Sequence, residues 1–206
     1  MSVSEKVKLR INRMQRGTPF AIRGFYSLGS TTSVQKALSR LAKEGTIERV
    51  SKGFYVRPKP LASTPSIKTT TSAEQVARAW AKKHNYKLVH QGLEAAYRLG
   101  LQTQAPIKKI FWTNGPSRTF KIGHDVVEVR HITDTKLRWA SQPEGALLRS
   151  MAVTSPQFVE WSNLQNAFNR LSLSESEAQY VVTKLSKAAL PNGWNKKLAQ
   201  FEQALD

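Results

Sequence analysis

The segment from residue 30 to residue 58 changes its hydrophobic period half-way along, and this change constrains the fold more than any other feature of the sequence. It reads STTSVQKALSRLAKEGTIERVSKGFYVRP. Before Gly45, the apolar residues have the i, i+3, i+4, i+7 spacing of one helix face: Val34, Ala37, Leu38 and Leu41. After Gly45, TIERV and FYVRP have the composition of strands, and SKG between them is typical of a turn. The segment is therefore predicted to form a helix followed by a β-hairpin.

Two further helices are predicted before this segment. The first runs from Ser4 to Arg16, with Ser4 as a possible N-cap and Gly17 as its stop. The second begins near Pro19 and ends near Gly29. Its apolar residues are expected to be buried: Phe20, Ile22, Phe25 and Leu28.

The third helix has local signals at both ends. Ser30, Thr31 or Thr32 can cap its N-terminus, and Gly45 can end it in a left-handed conformation. Three helices followed by a two-stranded wing is the plan of a winged helix-turn-helix, which we predict for residues 1–58.

The rest of the chain is predicted to be a linker and a second domain. Residues 59–72 lie in PKPLASTPSIKTTTS, which holds three prolines and seven Ser or Thr residues without periodicity. Residues 73–206 alternate predicted helices and strands, including the hairpin RTFKI and VVEVRHI, and end in helices that start at Ser155-Pro156 and at the capping box 174–177. The predicted fold class is α+β: a winged helix-turn-helix, a linker, and a mixed α/β domain with a helical tail.

The charge of the chain indicates a polyanionic partner. Lys and Arg number 32 against 14 Asp and Glu, a formal charge of +18, and the first 60 residues alone carry 13 basic and 3 acidic side chains. The absence of cysteine excludes disulfides and thiolate zinc sites. The N-terminal segment lacks the apolar core of a signal peptide and no stretch has the length of a membrane span, so we expect a cytoplasmic protein without a membrane partner.

Duplex DNA is the polyanion that such a helix and hairpin fit best, because the major groove admits one α-helix. Gln35, Ser39 and Arg40 are candidates for base contacts, since Gln suits adenine and Arg suits guanine. The full set of predicted DNA-binding residues is Thr32, Ser33, Gln35, Lys36, Ser39, Arg40, Lys43, Arg49, Lys52 and Arg57. The plainer alternative is that these charges form an ordinary solvated helix face.

Catalysis has weaker support in the sequence. The four histidines lack the paired spacing of a zinc hydrolase motif, and no phosphate-binding loop or nucleophile elbow is present. Asp125 and Glu128 resemble the carboxylate pair of a metal-dependent nuclease, but Arg130 stands where Lys would be needed, and residues three apart on a strand point to opposite faces. We therefore predict no catalytic residues, no metal and no cofactor. An RNA- or protein-binding module is the main alternative function.

The order of these elements resembles that of a known family. A short winged helix-turn-helix and a Pro/Ser/Thr linker precede HQGLEAAYRLGLQTQAP, KIFWTNGPSRTFKIG, VEVRHI and a helical tail. This pattern is similar to that of the AbiEi-type antitoxins of bacterial type IV toxin–antitoxin and phage-defence operons. The similarity spans about residues 5–190.

The resemblance implies a transcriptional autorepressor that binds inverted repeats in its own promoter. Residues 32–43 of the third helix and 49–57 of the wing would inherit the DNA-binding role. The resemblance also implies that the second domain counters a nucleotidyltransferase toxin, with direct contact left open. A monomer or weak dimer is expected, with two copies on each operator, because two-fold DNA sites mirror two-fold protein arrangements.

Overall fold

The protein has a mixed α+β architecture. The computed structural model describes residues 1–60, 68–69, 71–191 and 193–203. The chain divides into two compact units, which we call the first unit (1–86 with 119–127) and the second unit (87–118 with 128–206).

Within the described residues, nine elements precede residue 86. They are α1 (Val3–Asn12), β1 (Phe20–Ala21), a 3₁₀ helix (Ile22–Leu28), α2 (Thr31–Lys43), β2 (Glu48–Ser51), β3 (Phe54–Val56), β4 (Lys59–Pro60), β5 (Lys68–Thr69) and α3 (Ala73–His84). β1, β3 and β2 form an antiparallel sheet in that order, and β4 pairs with β5. The predicted third helix and hairpin are thus confirmed as elements.

The first helix begins and ends earlier than predicted. Its N-cap is Ser2, which forms a reciprocal capping box with Glu5. Ser4 lacks an acidic or amide partner three residues later, which is why it is not the cap. The helix ends at Asn12, whose carbonyl accepts a hydrogen bond of 2.9 Å from the Arg57 guanidinium.

The predicted second helix is not an α-helix. Phe20 and Ala21 instead pair with Tyr55 and Phe54 of β3, and a 3₁₀ helix follows. Strand pairing with a segment more than 30 residues away overrides the local helical spacing here. Phe20 and Phe25 are nevertheless buried, as expected.

A single cluster of apolar side chains forms the core beneath α1, α2 and the sheet. α2 contributes the four residues predicted from its spacing, and all four are buried. They pack with Val7 and Ile11 of α1, Phe25 of the 3₁₀ helix, and Ile47 and Tyr55 of the hairpin. Each fully buried Leu or Val contributes about 1.5–3 kcal/mol, so the inner face of α2 is held firmly and its other face is left to solvent.

The first unit extends beyond the predicted boundary at residues 59–72. α3 begins at residue 73, is capped by Ser72, and packs against β1. Trp80 of α3 is buried against Tyr86 and Phe120. Residues 61–67 and 70 of the predicted linker lie outside the described part of the chain, and the described residues on either side form the β4–β5 pair.

The remaining elements are as follows: β6 (Leu88–His90), α4 (Gly92–Leu99), β7 (Lys109–Thr113), β8 (Arg118–Ile122), β9 (Asp125–His131), a 3₁₀ helix (Asp134–Leu137), α5 (Pro143–Met151), a 3₁₀ helix (Pro156–Phe158), α6 (Trp161–Arg170), α7 (Glu175–Ser186) and α8 (Trp194–Gln203). Four strands form a sheet in the order β6, β7, β9, β8. The predicted start at Ser155-Pro156 gives only a 3₁₀ turn, whereas the predicted capping box at Ser174 and Glu177 begins α7.

α5 has no counterpart among the predicted elements, because charged side chains interrupt its apolar face. Glu144 is buried and pairs with Lys184 of α7 at 2.7 Å. Arg149 is also buried, and its Nε donates to the His90 carbonyl at 3.1 Å. Burial lowers the pKa of Arg149 to about 10, so the guanidinium stays charged at neutral pH.

The core of the second unit is helical and centres on Trp194. This side chain is fully buried, and its indole Nε1 donates to the carbonyls of Met151 and Thr154, each at 3.0 Å. Leu147, Leu164 and other apolar residues of α5 to α8 complete the cluster. The tail is thus a packed helical assembly, as its sequence predicted.

Candidate nucleic-acid interface

Local signals at both ends fix the position of α2. The Ser30 hydroxyl accepts a hydrogen bond from the Ser33 amide at 3.2 Å, so Ser30 is the cap among the three candidates. At the other end Gly45 has φ +69°, and the amides of Gly45 and Thr46 donate to the carbonyls of Ala42 and Leu41. This is a Schellman motif, which needs a residue that tolerates positive φ.

The outer face of α2 carries most of the predicted DNA-binding side chains. Six of the seven on this helix are exposed to solvent: Thr32, Gln35, Lys36, Ser39, Arg40 and Lys43. Ser33 is half-buried, and its hydroxyl accepts a hydrogen bond of 2.9 Å from the Ser30 hydroxyl. Ser33 therefore belongs to the helix cap. No acidic residue lies between Thr31 and Lys43, so this face carries uncompensated positive charge.

The hairpin places two more cations beside α2. Arg49 lies on β2 and Lys52 in the turn, and both side chains are exposed. Gly53 takes φ +76° to complete the turn, as the sequence predicted for this position. We call the exposed side chains of Lys36, Arg40, Lys43, Arg49 and Lys52 the basic face. Glu44 and Glu48 are the acidic residues of the same segment.

Arg57 differs from the other predicted residues, because its guanidinium already has protein partners. It is half-buried, and Nη1 lies 2.9 Å from the Asn12 carbonyl and 3.5 Å from that of Met14. The Gly17 amide donates to the Arg57 carbonyl at 2.8 Å. These bonds tie β3 to the end of α1, so the structure gives Arg57 a supporting role that its sequence position did not indicate.

A groove runs between α2 and the hairpin. Gln35 and Ser39 line it from α2, and Arg49 and Lys52 line it from the hairpin. Tyr26 and Tyr55 also line the groove, as does Lys83 of α3. A second hollow shares Ser39 and Arg49 with this groove and adds Lys43. Five predicted residues are therefore brought together around two connected depressions.

Lys83 is the residue of this groove that sequence reasoning missed. It lies 31 positions beyond Lys52, in a helix that was predicted to belong to the second domain. The basic last turn of α3, with Lys82, Lys83 and His84, is the only signal that the sequence holds. Which of these cations faces the groove is decided by the packing of α3, and spacing along the chain does not reveal that packing.

The carboxylates considered for a nuclease site have other partners. Asp125 accepts a hydrogen bond of 2.8 Å from the Ala73 amide, at the first turn of α3. Glu128 lies 2.6 Å from the Arg130 guanidinium, and this hydrogen bond lowers the pKa of Glu128. On β9, Asp125 lies on the same face of the strand as the buried Val127, whereas Glu128 lies on the opposite face.

The described parts of the chain offer no alternative centre for metal chemistry. They contain no group of three or more His, Cys, Asp or Glu side chains arranged to hold a metal ion. The ring of His131, one of the four histidines, has its Nδ1 3.0 Å from the Gly115 carbonyl. None of the helices in these parts is long and apolar enough to cross a membrane.

The architecture and this surface define the class: a mixed α+β protein with a cationic face on its first unit. Residues 6–152 match the model of DUF6088, a family of unknown function, and the chain belongs to that family. Among solved structures, the chain is similar to the RV2827C protein from Mycobacterium tuberculosis, with 15% identity and a TM-score of 0.39; the match covers 96% of this chain and 79% of that one. No curated protein matches the chain.

Proposed function

We propose that the first unit is a winged helix-turn-helix that binds duplex DNA with sequence specificity, and that the protein is a transcriptional repressor. The observation that carries the proposal is the pairing of a firmly buried inner face on α2 with a basic outer face beside a cationic hairpin. A helix anchored in this way presents its outer side chains to the major groove while its backbone stays fixed. The β2–β3 hairpin is the wing.

In this arrangement the exposed side chains of α2 and of the hairpin have distinct roles. Gln35, Ser39 and Arg40 are exposed on α2 and contact base edges. Lys36, Lys43, Arg49 and Lys52 contact phosphates on either side, which adds affinity without sequence information. Two copies occupy the two halves of a palindromic operator, as in other two-fold DNA sites.

The salt dependence of binding tests the proposal directly. If each copy neutralises about four phosphates, the logarithm of the association constant should fall with the logarithm of the salt concentration at a slope of about −7 for two copies. The measurement is fluorescence anisotropy with a labelled duplex taken from upstream of the protein's own gene. A salt-independent affinity for that duplex contradicts the proposal.

Two controls separate DNA repression from the alternative functions. Unlabelled tRNA should compete with the labelled duplex for the protein far less well than an unlabelled duplex of equal charge does. Better competition by tRNA would favour an RNA-binding module. Incubation with Mg²⁺ or Mn²⁺ should leave the duplex intact. Cleavage that disappears in Glu128→Ala would instead favour a metal-dependent nuclease.

The antitoxin role is a separate part of the proposal, and its support is the sequence resemblance to AbiEi-type antitoxins. We propose that the partner is a nucleotidyltransferase toxin. Its gene is expected in the reading frame next to that of this protein. Co-expression of the two genes should restore growth that the toxin alone prevents. A neighbouring gene that is not toxic, or toxicity that co-expression leaves unchanged, overturns this part and leaves the DNA-binding proposal standing.

A further inference from the structure

The position of Lys83 indicates that the phosphate-binding surface extends to α3. Its ammonium Nζ lies 5.1 Å from the centroid of the Phe54 ring on β3. A Cβ built on Gly53, in the turn of the wing, would lie 3.9 Å from the same nitrogen. The Lys83 charge therefore lies against the turn of the wing, within the first unit.

The packing of α3 explains why Lys83 takes this position. Val76 and Trp80 are buried on α3, and Lys83 follows them at the i+7 and i+3 positions of the same helix face. Contacts of Trp80 with Phe120 hold that face in place. Lys82, one residue earlier, is exposed on a different side of the helix. Two adjacent lysines therefore have different surroundings.

The groove that Lys83 lines has the chemistry of a phosphate site. Arg49 and Lys52 supply two further cations, and Gln35 and Ser39 supply neutral donors. None of the described residues that line the groove carries a carboxylate. Three cations in one groove repel each other, and a bound anion relieves that repulsion. A polyphosphate backbone offers several such anions in succession.

We propose that Lys83 completes a phosphate-binding cradle with Arg49 and Lys52, so that α3 contacts the DNA backbone beside the wing. This inference rests on the DNA-binding function proposed above. It assigns to that function a residue outside the predicted winged-helix segment 1–58. It also implies that residues 1–58 alone lack one of the contacts of the whole chain.

The substitution Lys83→Met tests the cradle, because it removes the charge and keeps an unbranched side chain against Phe54. Each lost phosphate contact lowers the salt slope by about 0.9, which is about eightfold in affinity between 1 M and 0.1 M salt. With Lys83 as a fifth contact in each of two copies, we expect a slope of about −9 for the wild type and about −7 for Lys83→Met, with all duplex sequences weakened alike. Lys82→Met is the matched control and should keep the wild-type slope, and Lys83→Arg should restore it.

A second measurement uses the wild-type protein and therefore does not depend on the folding of a variant. Acetylation of lysines by a succinimidyl ester, followed by mass spectrometry, should show Lys83 protected when duplex is bound and Lys82 unprotected. Equal modification of Lys83 with and without duplex, or a wild-type slope in folded Lys83→Met, overturns the cradle while the wild type still binds DNA. Failure of the wild type to bind any duplex overturns the proposed function itself.

Discussion

Replacing Arg40 by alanine should change which DNA sequences the protein prefers. Arg40 is exposed at the outer face of α2, one turn after Lys36, where a guanidinium can form two hydrogen bonds with guanine. Such a bidentate contact contributes about 1–3 kcal/mol of discrimination against the wrong base, which corresponds to about 5- to 150-fold in affinity. Arg40→Ala should therefore reduce the preference for the operator over an altered site by a factor in this range.

The fold of the variant should be unaffected, which makes the result interpretable. Arg40 is on the solvent side of α2, and alanine has at least as high a helix propensity as arginine. We therefore expect the stability of the variant to lie within about 0.5 kcal/mol of the wild type.

Selection from a randomised duplex library, followed by anisotropy titrations of the operator and of single-base variants, measures the preference. Lys52→Ala is the matched control, because Lys52 lies in the wing turn and should contact phosphate. It should weaken every sequence by a similar factor and leave the selected motif unchanged. If Arg40→Ala keeps the wild-type motif and the wild-type ratio of affinities within about twofold, the assignment of α2 to base reading is refuted.

Three further predictions concern local structure. Ser30→Ala removes the cap of α2 and should lower the free energy of unfolding of the first unit by about 1 kcal/mol, measured by urea denaturation; an unchanged midpoint would count against the cap. Trp194→Phe leaves two carbonyls without their indole donor and should destabilise the second unit by about 1–3 kcal/mol, with wild-type stability as the contrary result. Arg130→Ala should raise the pKa of Glu128 towards its ordinary value in a carboxyl NMR titration. Because Arg130 lowers that pKa, ionised Glu128 stabilises the fold at pH values above the ordinary pKa of glutamate, and this stabilisation is lost as the pH falls through the lowered pKa. An unchanged pKa of Glu128 in Arg130→Ala would exclude the contact.

The sequence predicted well the features that depend on neighbouring residues. α2 buries the four residues predicted for its inner face, Gly45 takes the left-handed φ expected of it, and Gly53 lies in the predicted turn. The capping box at the start of α7 was also predicted from the sequence. Helix periodicity, caps and turns involve residues a few positions apart, so they can be inferred from the amino-acid sequence alone.

Predictions failed where a distant segment supplied the partner. Phe20 begins a strand because β3 offers it a hydrogen-bonding edge, and α1 ends at Asn12 where Arg57 takes its carbonyl. Arg57, predicted to contact phosphate, likewise has a partner that the sequence did not reveal, because its guanidinium donates to the Asn12 carbonyl. These outcomes depend on loop closure and packing between segments more than 30 residues apart, which no local pattern reports.

The candidate site divides in the same way. The sequence by itself determined that α2 exposes a cationic face, because burying its four apolar residues turns Lys36, Arg40 and Lys43 outwards. Only the tertiary structure decided that Lys83 joins this face, since the packing of Trp80 selects one of two adjacent lysines. Helix periodicity determines the direction in which a side chain points from the helix axis, whereas contacts with residues far away in the chain determine where that helix axis lies.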